Sequence, residues 1–294
     1  MSQYFRPRRS MLYVPGCNTH YLERARTLHA DSVILDLGDP ILIECKEESR
    51  KNVVQFVKEG GYGSREVVVR VNNLDSPWGG EDIIAIAKTP VDAVLFPNVE
   101  SREDVLAALA ILDAAGGSHL PIMVMIESPI AVLKAKEIAS ASDRIVCIVM
   151  ATSDLISQLH ARVTHERLAI LTSLSMVILA ARAYGRAVVD GITSDFKNMH
   201  SFEYACRLGR DMGFDGKSLV HPAQLAYCND AYTPQAAEIE NAKEIIAALK
   251  AANAAGQGTV VVNDKLVEHH HVRAAERLIS LSEMIKTLEQ SYDN

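Results

Sequence analysis

The chain has 294 residues, 48% of them hydrophobic, and a formal net charge of -7. That apolar content supports one large buried core, while the acidic balance excludes a nucleic-acid surface, which needs a dense basic face. Five cysteines (Cys17, Cys45, Cys147, Cys206, Cys228) are odd in number and lack Cys-x-x-Cys spacing, which excludes a disulfide framework or a cysteine zinc site and points to a reducing cytoplasmic home.

In chain order, short apolar runs alternate with amphipathic stretches. The runs are 11–14, 32–37, 67–71, 93–96, 122–126, 145–150, 187–192 and 217–220. Between them, helical periodicity covers 21–29, 47–58, 81–88, 101–115, 130–140, 166–184 and 201–212. Near-continuous apolar strands separated by helices predict a parallel sheet covered on both faces. Eight such units in this length predict a (β/α)8 TIM barrel, for which about 250 residues is typical, with a doubly wound open sheet as the alternative. The expected domains are a catalytic barrel over 1–232 and a C-terminal extension over 233–294. The extension carries a helix over 235–255, a hairpin turning at Asn263-Asp264 and a last helix over 272–288, and is read as a lid or oligomerisation arm. No apolar run approaches the ~18 residues of a membrane span, and the one before Pro15-Gly16 is too short for a signal peptide.

Almost every expected strand ends in a polar residue: Asp36 and Asp39, Arg70 and Asn72, Asn98, Glu127, Asp154, Asp190 and His221. In a parallel barrel these ends meet at the active-site mouth. Glu127 and Asp154 close neighbouring strands, and Mg2+ is commonly held by one or two carboxylates with other oxygens completing its shell, so the pair is a candidate metal site; helix N-capping is the competing role. Arg70 interrupts an apolar strand, so its guanidinium needs an anion: a substrate carboxylate, or an ion pair with Asp36 or Glu127. Asp36 and Asp39 orient groups around the metal or cap the helix near Glu47. His221 precedes Pro222 and reads as structural. Consecutive histidines His269–His271 point in different directions and make a poor chelate. Arg6, Arg8 and Arg9 form either a loose tail or a phosphate contact.

The motifs Arg9-Ser-Met-Leu-Tyr-Val-Pro-Gly16, Val33-Ile-Leu-Asp-Leu-Gly-Asp39, Val69-Arg-Val-Asn72 with Ser76-Pro-Trp78, Ile126-Glu-Ser128, Ser153-Asp-Leu155 and Gly213-Phe-Asp-Gly-Lys-Ser-Leu-Val-His-Pro-Ala-Gln224 occur in that order. The chain thereby resembles the citrate lyase beta-subunit-like family, which includes malyl-CoA and citramalyl-CoA lyases. The resemblance implies a barrel assembled as a homotrimer or hexamer, with Mg2+, or Mn2+ in its place, on Glu127 and Asp154. It implies that Arg70 binds the keto-acid fragment, with Asp39 and Asn98 on the substrate wall and Asp36 in the catalytic set. It further implies that Glu268, in the C-terminal segment, is the general acid/base for a neighbouring subunit. Four positions depart from the family pattern: Gly38 stands for Glu, Asn98 for Lys, Ala151 for Gly and Cys17 for Asn. Together they mark a divergent subgroup with a changed substrate.

The implied activity is metal-dependent carbon-carbon cleavage, or the reverse condensation, of a 3-hydroxy-acyl-CoA thioester such as malyl-, citramalyl- or citryl-CoA. The alternatives are a metal-dependent aldolase acting on free 2-oxo or hydroxy acids without CoA, and a subunit active only inside a multienzyme complex.

Overall fold

The computed structural model describes residues 6–292, in two compact units, residues 6–232 and 233–292. In the first unit, strands β1 (Ser10–Pro15), β2 (Ser32–Asp36), β3 (Glu66–Arg70), β4 (Ala93–Phe96), β5 (Ile122–Ile126), β6 (Ile145–Met150), β7 (Ala187–Asp190) and β8 (Gly216–Leu219) form a closed barrel in sequence order. All of its pairings are parallel, and β8 returns to β1. This is the TIM barrel expected from the alternation of runs; closure, which periodicity cannot show, is seen directly in the pairing of Ser10 with Lys217 and Leu12 with Leu219.

Helices α1 (Thr19–Ala25), α2 (Lys46–Glu59), α3 (Gly79–Ile86), α4 (Arg102–Ala114), α5 (Pro129–Leu133), α6 (Ala135–Ala139), α7 (Thr152–Gln158), α8 (Leu171–Ala183), α9 (Met199–Met212) and α10 (Leu225–Tyr232) follow the strands. The stretch expected as one helix over 130–140 is two, broken at Lys134, whose φ of -98° and ψ of 11° leave the helical region. Capping fixes several starts: Ser101 Oγ accepts from Asp104 N–H, and Ser128 Oγ accepts from Ala131 N–H with Pro129 at the first helical position.

Strand side chains alternate between two apolar layers. Met11, Ile34, Val68, Leu95, Met123, Met125, Cys147, Val149 and Val189 fill the barrel, while Leu12, Val33, Leu35, Val69, Val94, Val124 and Ile148 pack beneath the helices. At the seam between β1 and β8, a Cβ on Gly216 would lie 1.8 Å from the Arg8 carbonyl oxygen, so only glycine lets the two strands meet. Lys217 N–H donates to the Arg9 carbonyl across that seam at 3.0 Å.

Below the strands, Arg8 pairs with Glu66 at 2.6 Å and Arg9 with Asp31 at 2.8 Å, all four buried. These two arginines are structural ion pairs at the N-terminal ends of β1–β3, not a loose tail or a phosphate contact. In the second unit, α11 (Ala236–Ala254) and α12 (His269–Gln290) flank a two-stranded antiparallel hairpin of β9 (Val260–Val262) and β10 (Lys265–Val267). Asn263 and Asp264 both carry positive φ (47° and 60°), as a two-residue hairpin turn requires.

Candidate active site

Counting inward from the barrel core, Tyr13 follows Met11, Asp36 follows Ile34, Arg70 follows Val68 and Glu127 follows Met125, so these four polar side chains share the mouth of the barrel. Asp36 and Arg70 are register partners on β2 and β3. Arg70 Nε donates to Asp36 Oδ1 at 2.7 Å and Nη2 to Oδ2 at 2.8 Å, a bidentate fork. Burial opposes the Arg70 charge, but the Asp36 charge and its hydrogen bonds outweigh that and hold the guanidinium more firmly protonated than usual. Both Asp36 oxygens are taken by the fork, and Oδ1 also accepts from Gly38 N–H at 2.8 Å. Asp36 therefore orients Arg70.

The segment after β2 is held from beneath. Buried Lys46 donates from Nζ to the carbonyls of Leu37 at 2.9 Å and Gly38 at 2.8 Å and to Asn72 Oδ1 at 2.6 Å. Asn72 in turn donates to Asp82 at 2.7 Å, and Asp82 accepts from Arg50 at 2.6 Å. Asn72 belongs to this supporting network. Asp39 is almost fully exposed, with Oδ2 3.9 Å from Arg70 Nη1.

Glu127 is 5% exposed, and no cationic side chain pairs with it among the described residues. Its Oε1 accepts the Asn98 backbone N–H at 2.9 Å, and Asn98 Nδ2 lies 3.4 Å from Oε2. Asn98 reaches this position with a φ of +51°, a conformation asparagine tolerates better than most side chains. Burial pushes the Glu127 carboxyl above its ordinary range; the Asn98 N–H and Arg70 offset this in part, and the Asp154 charge adds to it. Asp154 is exposed in the first turn of α7, next along the barrel. A buried carboxylate without a cation, with a second carboxylate close enough to raise it further, is an arrangement that a hard divalent cation would relieve.

Glu268 belongs to the second unit. It is the N-cap residue of α12, half exposed, and its backbone N–H donates to His271 Nδ1 at 3.1 Å in a capping box. Contrary to the expectation that the histidines diverge, ligand-capable atoms of Glu268, His270 and His271 lie within 4.8 Å of one another. Asp190, grouped by sequence with the mouth residues, turns away from it. On β7 the inward residue is Val189, so Asp190 points into the helix layer, where it accepts from Arg167 at 2.6 Å and Lys217 at 2.7 Å. His221 Nδ1 accepts Ala223 N–H in a capping box and stacks on Phe196 with centroids 4.8 Å apart.

One mouth residue escaped the sequence reading. The Tyr13 ring lies beneath the Arg70 guanidinium at 5.0 Å, and its hydroxyl reaches across to Met125 Sδ at 3.9 Å. The signal available was its inward parity with Met11.

A closed parallel barrel with an arginine fork and an uncompensated buried carboxylate at the C-terminal ends of its strands defines an enzyme of the TIM-barrel class, its site facing the loop side. Residues 9–222 match the HpcH/HpaI aldolase/citrate lyase family, and the chain belongs to that family of carbon-carbon lyases and related enzymes. It is 40% identical over 285 residues to the (3S)-malyl-CoA thioesterase of Cereibacter sphaeroides (strain ATCC 17025 / ATH 2.4.3), covering 97% of this chain and 98% of that one. It is 32% identical to citrate lyase subunit beta of Escherichia coli (strain K12), with 95% and 94% covered. Among solved structures, the Mycobacterium tuberculosis citrate lyase beta subunit, complexed with oxaloacetate and magnesium, superposes with a TM-score of 0.68 at 25% identity, over 80% of this chain and all of that one.

Proposed function

We propose that the chain is a Mg2+-dependent lyase that cleaves, or in reverse forms, the carbon-carbon bond of a 3-hydroxy-acyl-CoA thioester of the malyl, citramalyl or citryl type. The observation that carries this is Glu127: a buried carboxylate at a strand end, lacking a cation, beside an arginine with one nitrogen left over from its fork. Magnesium and oxaloacetate in the M. tuberculosis relative, and the malyl-CoA and citrate names of the others, support the ligand class.

Glu127 and Asp154 would hold the metal, which when bound supplies a Lewis acid for the substrate oxygens. Arg70, with Nε and Nη2 committed to Asp36, offers Nη1 to the carboxylate of the keto-acid portion. Asn98 holds Glu127 in place through its backbone N–H. In cleavage, the carbinol hydroxyl gives up its proton to solvent water at the mouth and becomes the carbonyl of the 2-oxo acid. The bond to the carbon next to the thioester breaks, and its electron pair remains there as a thioester enolate. Glu268, supplied by a neighbouring copy in a homotrimer or hexamer, protonates that carbon to give the acyl-CoA; such general-acid help contributes typically ~10²–10⁴-fold.

A second reading acts on the same thioester. The 40% identical relative is named a thioesterase, which favours hydrolysis at the thioester carbonyl in place of carbon-carbon cleavage. Incubating the protein and Mg2+ with malyl-, citramalyl- and citryl-CoA separates the two. Lyase activity yields acetyl-CoA with glyoxylate, pyruvate or oxaloacetate; hydrolysis yields free CoA and the intact hydroxy acid. Turnover of free hydroxy acids, with none of the thioesters, would instead establish the aldolase alternative. Loss of all turnover in Glu127→Ala is expected, and full activity in that variant would overturn the metal assignment.

A further inference from the structure

Met125 Sδ sits where two strong donors converge. Tyr13 Oη reaches it at 3.9 Å from β1, and Arg70 Nη1 at 4.0 Å from β3. A thioether is a weak acceptor. Among the described residues the phenol hydroxyl has no other hydrogen-bond partner, and outside the fork the only carboxylate within ion-pair distance of Nη1 is the exposed Asp39, 3.9 Å away. Two strong donors aimed at one weak acceptor are poorly satisfied, and a carboxylate arriving at that point would serve both better. The point lies one inward residue below Glu127 on β5, at the floor of the mouth.

We propose that Tyr13 is a substrate-binding residue: its hydroxyl and Arg70 Nη1 together donate to one carboxylate of the keto-acid fragment, with Met125 sulfur as the placeholder in the free protein. This rests on the functional reading above for the identity of the fragment, and adds to it the second donor. Three features beyond the convergence support it. The Tyr13 ring lies under the guanidinium, so hydroxyl and fork move as one unit. The Asp36 fork fixes which arginine nitrogen faces the ligand. Burial and the surrounding carboxylates Asp36, Glu127 and Asp154 keep the phenol protonated and therefore a donor, against the opposing pull of Arg70.

The test is calorimetric titration of the full-length, Mg2+-loaded protein with pyruvate, which needs no turnover. Y13F removes one oxygen and keeps the ring on Arg70. The expected result is an affinity for pyruvate at least tenfold weaker, with Mg2+ affinity within twofold of wild type. A Y13F protein that binds pyruvate within twofold of wild type overturns the proposal. M125L is the second variant and decides the matter if Y13F does not fold. It removes the placeholder and leaves both donors, so pyruvate should bind as tightly as before or tighter; tenfold weakening would show that the sulfur belongs to the binding site and overturn the proposal. Wild-type protein that binds pyruvate yet cleaves no thioester sinks the lyase reading alone, and wild-type protein that binds no 2-oxo acid sinks both.

Discussion

Arg70 lies flat against Gly38: a Cβ built on Gly38 would stand 3.0 Å from the guanidinium carbon and from Nε and Nη2, the two nitrogens that grip Asp36. The absence of a side chain there sets the height of the arginine in the mouth. Gly38→Ala should therefore push the fork off Asp36. Overpacking of this kind costs about 1–3 kcal/mol, to be read as a lower denaturant midpoint with unchanged slope, together with weaker pyruvate binding. Wild-type stability and affinity in this variant would mean that the fork has room to spare.

Removing the other half of the pair is the harsher change. Asp36→Ala leaves a buried guanidinium without its counter-charge, for which about 3–5 kcal/mol of destabilisation is expected. Urea unfolding measures it, and a loss below about 1 kcal/mol would place the fork among the weakly coupled surface pairs.

Glu127 makes stability depend on pH in a definite direction. Its folded pKa is raised by burial, so the folded state binds its proton more tightly than the unfolded chain does, and stability falls as pH rises from the ordinary glutamate range through the raised value. Without divalent cations, Glu127→Gln should be more stable than wild type above that window and nearly equal below it. Thermal melts across the window check this, and the reverse order would refute it.

Mg2+ should raise the melting temperature of the wild-type chain progressively, because a ligand of the folded state stabilises by mass action. Glu127→Gln should show little of that rise, and wild-type protein should lose it on chelation. An equal rise in the variant would place the metal elsewhere.

Asp190 anchors a different layer. It is fully buried between Arg167 and Lys217, and although burial alone would raise its pKa, the two cations outweigh this and lower it. The stabilisation is thus present above the ordinary aspartate range and lost as pH falls through the depressed value. Asp190→Ala, which strands two buried cations, should cost about 3–5 kcal/mol without altering Mg2+ affinity. A variant of wild-type stability would argue against the pairing.

The barrel was legible because buried parallel strands are apolar throughout, and each expected run overlaps an observed strand. Helices α7 and α10, of 7 and 8 residues, lie outside the expected helical stretches. The strand-end residues were legible as a group but not by direction, since one step along a strand turns a side chain from mouth to helix layer; Asp190 shows this. The Asp36–Arg70 fork depends on the register between β2 and β3, and Tyr13 on which donor meets which acceptor across the barrel, neither of which a linear pattern encodes. Arg8 and Arg9 misled for the same reason, their partners Glu66 and Asp31 being distant in sequence.

The glycine at the seam sets a condition on how the molecule is made. Strand β1 has only one neighbour, β2, until residues near the far end of the unit have been synthesised, and its other edge is closed by a strand whose first residue has no side chain. A growing chain therefore carries an open curved sheet with an unprotected edge until Gly216 arrives, the state in which such sheets are most prone to pair with the wrong partner. Any larger residue at that position would extend this exposure beyond synthesis, turning a transient edge into a permanent one.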